Sequence, residues 1–314
     1  MPQQTLKTEG QLPRSGGVLS VCKPVGMTSH DVVDVVRRLA GTRRVGHTGT
    51  LDPGAAGVLV LVLGPATRIA EFIADADKEY RVEVAFGLST DTGDSYGRVV
   101  RDSGAVHVAR AQLAAVMEQF TGTITQVPPM ASAVHVGGRR LYEHARRGIV
   151  VEVPPREVQI FGLDILEIHE DPPSRAWLHV VCSKGTYIRR LCADIGEVLG
   201  SGAHAQFMVR TRVASHRLEH ALTLEELHDR AAAGGLGEVL LPADAALVDL
   251  PAVDLTPAQR QAVMHGQGLP LFKLAGWQAL MQVRAVRLRD TQGLVAIGKV
   301  EQGVLRPFKV LRDS

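Results

Sequence analysis

The sequence predicts an α/β protein of the α+β kind: a mixed, largely antiparallel sheet with flanking helices, followed by a small β-rich module. Three observations carry this reading. Val58 to Leu63 is an unbroken apolar run of strand length, suited to the middle of a sheet covered on both faces. Tyr80 to Phe86 alternates, with Tyr80, Val82, Val84 and Phe86 on one face and Arg81 and Glu83 on the other. Composition shifts near Leu250-Pro251, and beyond it short strand-like runs separated by glycine turns prevail.

Taken in order, Met1 to Ser15 is polar, lacks an apolar signal core, and reads as a flexible tail over residues 1–16. Gly17 to Cys22 is a strand stopped by Lys23-Pro24. Thr28 or Ser29 then caps a helix to about Ala40, with Val32, Val35, Val36 and Leu39 as its inward stripe. A glycine-rich loop spans Gly41 to Gly57. Thr67 to Ala74 reads as helical, Thr90 to Gly97 as a turn-rich loop, and Val108 to Phe120 as a helix. Prolines and glycines at both ends mark 126–155 as an exposed, hinged insertion, with a basic helical piece from Arg139 to Arg147. Strands recur at Val158 to Glu167, Ala176 to Cys182 and Ala205 to His216. Thr186 to Leu199 is a helix with Ile188, Leu191, Cys192, Ile195 and Val198 inward. Helices at Thr223 to Ala233 and Leu236 to Leu241 complete a catalytic-sized domain over 17–249. The module, 250–314, has one helix (Pro257 to Val263) and three strand-like runs (Met281 to Leu288, Leu294 to Val300, Pro307 to Leu311).

Composition narrows the class. With 45% hydrophobic residues in 314, the chain can bury a core, so global disorder is excluded. No apolar run reaches membrane-spanning length, and the expected location is the cytoplasm. Cys22, Cys182 and Cys192 lack paired spacing, which argues against a zinc site or a disulfide framework; each sits in an apolar pattern and reads as packing. The net charge of +2 does not by itself indicate nucleic acid. The basic residues cluster, however: Arg139, Arg140, Arg146 and Arg147; then Lys184, Arg189 and Arg190; then Arg210, Arg212 and Arg217. Such clusters form either a local phosphate-binding face or a solvated surface balanced by acids elsewhere.

The stretch Gly46-His47-Thr48-Gly49-Thr50-Leu51-Asp52-Pro53 is the strongest chemical signal. It offers a single carboxylate in a glycine-rich loop, read as buried, with no acidic neighbour. Hydrolysis of a glycoside needs two carboxylates, one to activate water. One carboxylate still serves as a nucleophile, or it caps a turn. Asp91 and Asp94, in Thr90-Asp91-Thr92-Gly93-Asp94, have too few spaced oxygen ligands for a cation loop and read as a plain turn.

Gly46 to Pro53, followed by Ala55-Ala56-Gly57-Val58-Leu59, resembles the catalytic motif of the TruB family of tRNA pseudouridine synthases. Four further segments resemble that family's motifs in the same order: Lys23-Pro24-Val25-Gly26-Met27-Thr28-Ser29, Asp77-Lys78-Glu79-Tyr80-Arg81-Val82, Cys182 through Arg189, and Gly202-Ala203-His204 through Arg210. The resemblance implies a sheet of the pseudouridine synthase type. It also implies an isomerase that converts uridine 55 in the T loop of tRNA to pseudouridine, flipping the base out of its stack. It assigns Asp52 as nucleophile, Arg189 as its partner and Tyr80 as the ring against the base. It gives substrate contacts to Lys23, His47, Tyr187, Met208 and Arg210. It implies no metal and no cofactor, tRNA as partner, no membrane, no protein partner and a monomer. The insertion 126–155 resembles the family's thumb-like loop, and 250–314 resembles a reduced PUA-like RNA-binding domain. Ala131 and His135 depart from the usual aromatic and lysine of the thumb. Met208 replaces a leucine at conserved size and hydrophobicity.

Overall fold

The computed structural model describes residues 13, 16–130, 132, 135, 136, 138–141, 144, 147, 149 and 151–311. The rest of the expected tail, and Ala131, lie outside the described residues. Chain order gives β1 (Gly17–Lys23), α1 (Ser29–Leu39), β2 (Val45–His47), β3 (Ala55–Leu63), a 3₁₀ turn, α2 (Ala70–Ala74), β4 (Lys78–Phe86), β5 (Leu88–Thr90), β6 (Val99–Asp102), α3 (Arg110–Met117), β7 (Gly122–Gln126), β8 (His135–Val136) and β9 (Arg139–Arg140). Then come β10 (Arg156–His169), β11 (Arg175–Cys182), α4 (Ile188–Val198), β12 (Ala203–Val213), β13 (His216–Arg217), α5 (Leu224–Ala232), β14 (Ala252–Asp254), α6 (Pro257–Met264), β15 (Leu269–Pro270), α7 (Trp277–Leu280), β16 (Val286–Asp290), β17 (Gly293–Glu301) and β18 (Val304–Val310).

Two compact units result. One comprises residues 1–51, 58–74 and 213–314; the other comprises 52–57 and 75–212. In the first, β1 lies beside β3, and β2 pairs antiparallel with β3 from Val45↔Leu63 to His47↔Leu61. The glycine-rich loop is therefore partly strand, within it at 45–47 and at its end at 55–57. Helix α1 starts where the sequence places it. Thr28 Oγ1 accepts from the Asp31 amide at 3.1 Å while the Thr28 amide donates to Asp31 Oδ2 at 2.7 Å, a reciprocal cap contributing about 1 kcal/mol. Its buried valines are Val32, Val33 and Val36; of the expected stripe, Val35 and Leu39 are only half-buried, and Val33 is buried in addition. Val58, Val60 and Val62 pack with Ile69, Val213, Leu247, Ala285, Ile297 and Leu311. The C-terminal segment forms a five-stranded sheet, ordered β14-β16-β17-β18-β15, over its own core of Val263, Leu271, Leu288, Ala296 and Leu305. Its first expected strand is shorter than predicted, because α7 and a turn precede Val286.

The second unit holds the longer sheet path. From residues 55–57 at the start of β3 it runs through β12, β4, β11 and β10 to β7. The β4–β11, β10–β11 and β7–β10 pairs are antiparallel, and β12 joins β3 in parallel through Met208↔Ala55, Val209↔Ala56 and Arg210↔Gly57. The sheet is thus mixed and largely antiparallel. The alternation read at Tyr80 holds: Tyr80, Val82, Val84 and Phe86 are all buried. The turn-rich loop expected at 90–97 is found, and it connects the two strands of the β5–β6 hairpin. Within the insertion, Arg139–Arg140 pairs with His135–Val136, so a helix does not begin at Arg139; Leu141 and His144 are helical. In α4, Ile188, Leu191, Cys192 and Ile195 are buried as expected. Val198 is not: it is 50% exposed, on the last turn of the helix. Arg189 and Gly196 take buried positions in its stead.

Candidate active site

Four of the expected residues meet in the second unit. Asp52 follows Leu51, whose amide and carbonyl are both held by the hydroxyl of Ser29, at 2.8 and 2.9 Å. The backbone entering Asp52 is therefore fixed by hydrogen bonds to a buried side chain. Arg189 lies in the first turn of α4 and sends Nε to Asp52 Oδ2 at 2.8 Å. The burial is the reverse of the sequence expectation. The Arg189 side chain is only 4% exposed, whereas that of Asp52 is 37% exposed. A guanidinium loses less on leaving water than a carboxylate does, and it carries five donors with which to satisfy itself.

Arg189 is satisfied by more than Asp52. Its Nη1 donates to the carbonyl of Thr92 at 2.9 Å and lies 3.3 Å from Asp94 Oδ2. Asp94 is fixed in turn: its Oδ1 accepts from Thr92 Oγ1 at 2.7 Å and from the Tyr96 amide at 3.0 Å. Gly93 adopts φ +74°, and a Cβ there would sit 3.0 Å from the Arg189 carbonyl oxygen. The turn read from sequence as plain is thus the second wall of the arginine site. Asp94 is the functional candidate that sequence reasoning passed over. Its only local signal is a turn composition shared with many surface loops.

Tyr80 on β4 is buried, and its hydroxyl accepts a hydrogen bond from Arg210. Burial pushes the phenol above its ordinary range; Arg210 opposes this and the nearby Asp52 charge adds to it. At neutral pH Tyr80 is therefore a neutral phenol, and the negative charge beside it belongs to Asp52. Arg210 is itself buried on β12, two residues beyond buried Met208, so both project from one face of that strand. Gly57 permits this approach. At φ +108° opposite Arg210, it has no room for a Cβ, which would lie 2.2 Å from the Arg210 carbonyl oxygen and 2.8 Å from its amide nitrogen. Lys78 and Cys182 lie close by. Burial, with Arg210 beside it, lowers Lys78 to about 8, and burial raises the Cys182 thiol to about 11.

The other expected contacts are placed as follows. Tyr187 is the N-cap residue of α4, two positions before Arg189. Lys23 and His47 belong to the first unit. His47 ends β2 and is half-buried. Lys23 is fully buried, and its Nζ donates to the carbonyls of Pro24 and Met27 at 2.8 and 2.7 Å. The ammonium thus bridges the turn that follows β1. The side chain of His135 lies outside the described features. Among the described residues, no three His, Cys, Asp or Glu side chains are grouped to hold a metal ion.

Comparison with known proteins gives this geometry its class. A family model described as TruB family pseudouridylate synthase (N terminal domain) matches residues 37–188, and one described as tRNA pseudouridylate synthase B C-terminal domain matches 189–248. The fold is thus that of a pseudouridylate synthase, and the class is an RNA-directed isomerase. A tRNA pseudouridine synthase B of Symbiobacterium thermophilum is 51% identical over 250 residues, covering 80% of this chain and 82% of the relative. Another, of Geobacillus thermodenitrificans, is 43% identical over 304 residues, covering 94% and 99%. The solved structure titled "Crystal Structure of a Cbf5-Nop10-Gar1 Complex" superposes with a TM-score of 0.75 at 26% identity, covering 98% of this chain and 91% of that one. The chain belongs to the TruB family.

Proposed function

We propose that this protein isomerises uridine 55 in the T loop of tRNA, with Asp52 as the nucleophile. The observation that carries the reading is the 2.8 Å pair between Asp52 and a buried Arg189, beside Tyr80. In the reaction the N-glycosidic bond breaks, the uracil turns, C5 joins C1′, and the C5 proton is replaced by one at N1. No group is gained or lost, so no second carboxylate is required to activate water. Arg189 holds and aims the Asp52 carboxylate through its Nε at 2.8 Å. The exposure of Asp52 gives a substrate access to the carboxylate. The Tyr80 ring forms the flat wall against which the base rests, and its hydroxyl, held by Arg210, faces the C5 proton. Met208 closes the apolar side.

A base stacked within the T loop must leave its stack, at a cost of a few kcal/mol that stacking and edge hydrogen bonds in the pocket offset. His47 fills the vacated space, the insertion 126–155 folds onto the RNA, Tyr187 contacts the substrate, and residues 250–314 act as a PUA-like RNA-binding module. No described helix is long and apolar enough to cross a membrane; the reading places the protein in the cytoplasm as a monomer.

The test is tritium release from tRNA labelled at uracil C5. Wild-type protein releases tritium and forms pseudouridine at position 55, and Asp52→Asn does neither. Free uracil as the product would identify a hydrolase instead. Release by Asp52→Asn at the wild-type rate would remove Asp52 from the reaction.

A further inference from the structure

We propose that Gln126 is a positioning residue for the isomerisation: it holds the first turn of α4, and through it the Arg189 guanidinium, to the base of the 126–155 insertion. This inference rests on the role given to Arg189 above.

Gln126 is the last residue of β7, and it pairs with Arg156, the first residue of β10. The chain leaves the sheet for the insertion immediately after one member of this pair and returns at the other. Glutamine is mostly an exposed residue, yet Gln126 is 2% exposed. Among the described residues, its amide bonds one distant residue through both of its polar atoms. Oε1 accepts from the Tyr187 amide at 3.0 Å, and Nε2 donates to the Tyr187 carbonyl at 3.3 Å.

Tyr187 is the N-cap of α4 and makes no capping hydrogen bond with its own side chain. Its carbonyl also accepts the first helical hydrogen bond, from the Leu191 amide at 3.0 Å. The two bonds to that carbonyl therefore join the helix ladder to β7 at one oxygen. Arg189 stands two residues further on, within the same turn. An ion pair at 2.8 Å tolerates little displacement, because the strength of a charged hydrogen bond depends on distance and direction. A side chain that fixes both polar groups of Tyr187 fixes where that turn begins. The same arrangement recurs ahead of Asp52, where Ser29 holds both polar groups of Leu51. Gln126 differs in its location, since any movement at the root of the insertion reaches α4 through it.

The experiment measures single-turnover pseudouridine formation and tRNA affinity for Gln126→Leu, Arg189→Lys and the double variant. Gln126→Leu keeps most of the volume and loses both hydrogen bonds. It is expected to slow the chemical step about tenfold, with the tRNA dissociation constant within about twofold of wild type. In the Arg189→Lys background the same substitution is expected to cost less than about twofold, because the group it positions is already gone. Gln126→Glu keeps the acceptor for the Tyr187 amide but turns an oxygen toward the carbonyl. It is expected to lose about threefold in rate, and it carries the same cycle if Gln126→Leu does not fold. Two results overturn the proposal: equal losses in both backgrounds, which mark a general structural role, or a loss confined to affinity. Inactive wild-type protein would instead overturn the function on which it rests.

Discussion

Arg189 is enclosed and Asp52, the carboxylate it holds at 2.8 Å, is not. The pair is asymmetric by design of the surroundings. The guanidinium is secured by the Thr92 carbonyl and Asp94 from behind, which leaves Asp52 as the exposed face of the network. In the proposed reaction the charge that meets the substrate is the exposed one, and the charge that steadies it is the enclosed one.

Asp94 then matters to a reaction it does not touch. Asp94→Asn keeps an acceptor near Arg189 Nη1 but removes a charge-assisted bond. The rate constant for pseudouridine formation is expected to fall on the order of ten- to a hundredfold, with little change in tRNA affinity. Single-turnover assays at saturating enzyme check this. A rate equal to wild type would show that Thr92 alone suffices to orient the guanidinium.

Gly57 and Gly185 separate crowding from backbone strain. Both have positive φ, +108° and +81°, but a Cβ meets Arg210 backbone at the first and nothing within 4 Å at the second. Gly57→Ala is expected to lower stability by about 3 kcal/mol or more and to abolish activity by parting β3 from β12. Gly185→Ala is expected to cost about 1 kcal/mol. Denaturant midpoints measured side by side decide it; equal losses would mean that the close approach at Arg210 relaxes freely.

Lys78 gives stability a pH dependence of known sign. Its folded value of about 8 lies below the ordinary 10.5 because burial disfavours the ammonium. Between these values the unfolded chain holds a proton that the folded chain has released, so this contribution to stability rises with pH across that window. Below about pH 8 both states are protonated, and the folded state bears the cost of the enclosed charge. Melting temperatures of wild type and Lys78→Met, compared at about pH 7 and about pH 10, should move in favour of wild type at the higher pH. A constant difference would count against a depressed Lys78.

Periodicity made much of this legible. The apolar run at 58–63, the alternation from Tyr80 and the capping box at Thr28 each specify a local geometry, and each is found. Family resemblance assigns Arg189 rather than its neighbour Arg190, and the helix period distinguishes the two in the same way. Arg189 precedes Cys192 by three residues and Gly196 by seven, which puts it on the buried face. Arg190 precedes Asp194 by four and pairs with it, half-exposed. Gly57 inside an apolar strand was likewise a signal of close backbone approach. Asp94 and Gln126 left no such trace. Their partners lie far along the chain, and no local pattern records a hydrogen bond that only the assembled sheet creates.

The anchoring of Arg189 by Thr92 and Asp94 has a consequence for the energetics of turnover. A positive group held by three acceptors does not have to follow the aspartate as its bonding changes. Water around the same carboxylate would have to reorient at each stage of the rearrangement, and that reorientation is part of the barrier in solution. Here the compensating dipoles are already aligned before the RNA arrives, so the protein acts as a solvent whose polarisation was completed during folding.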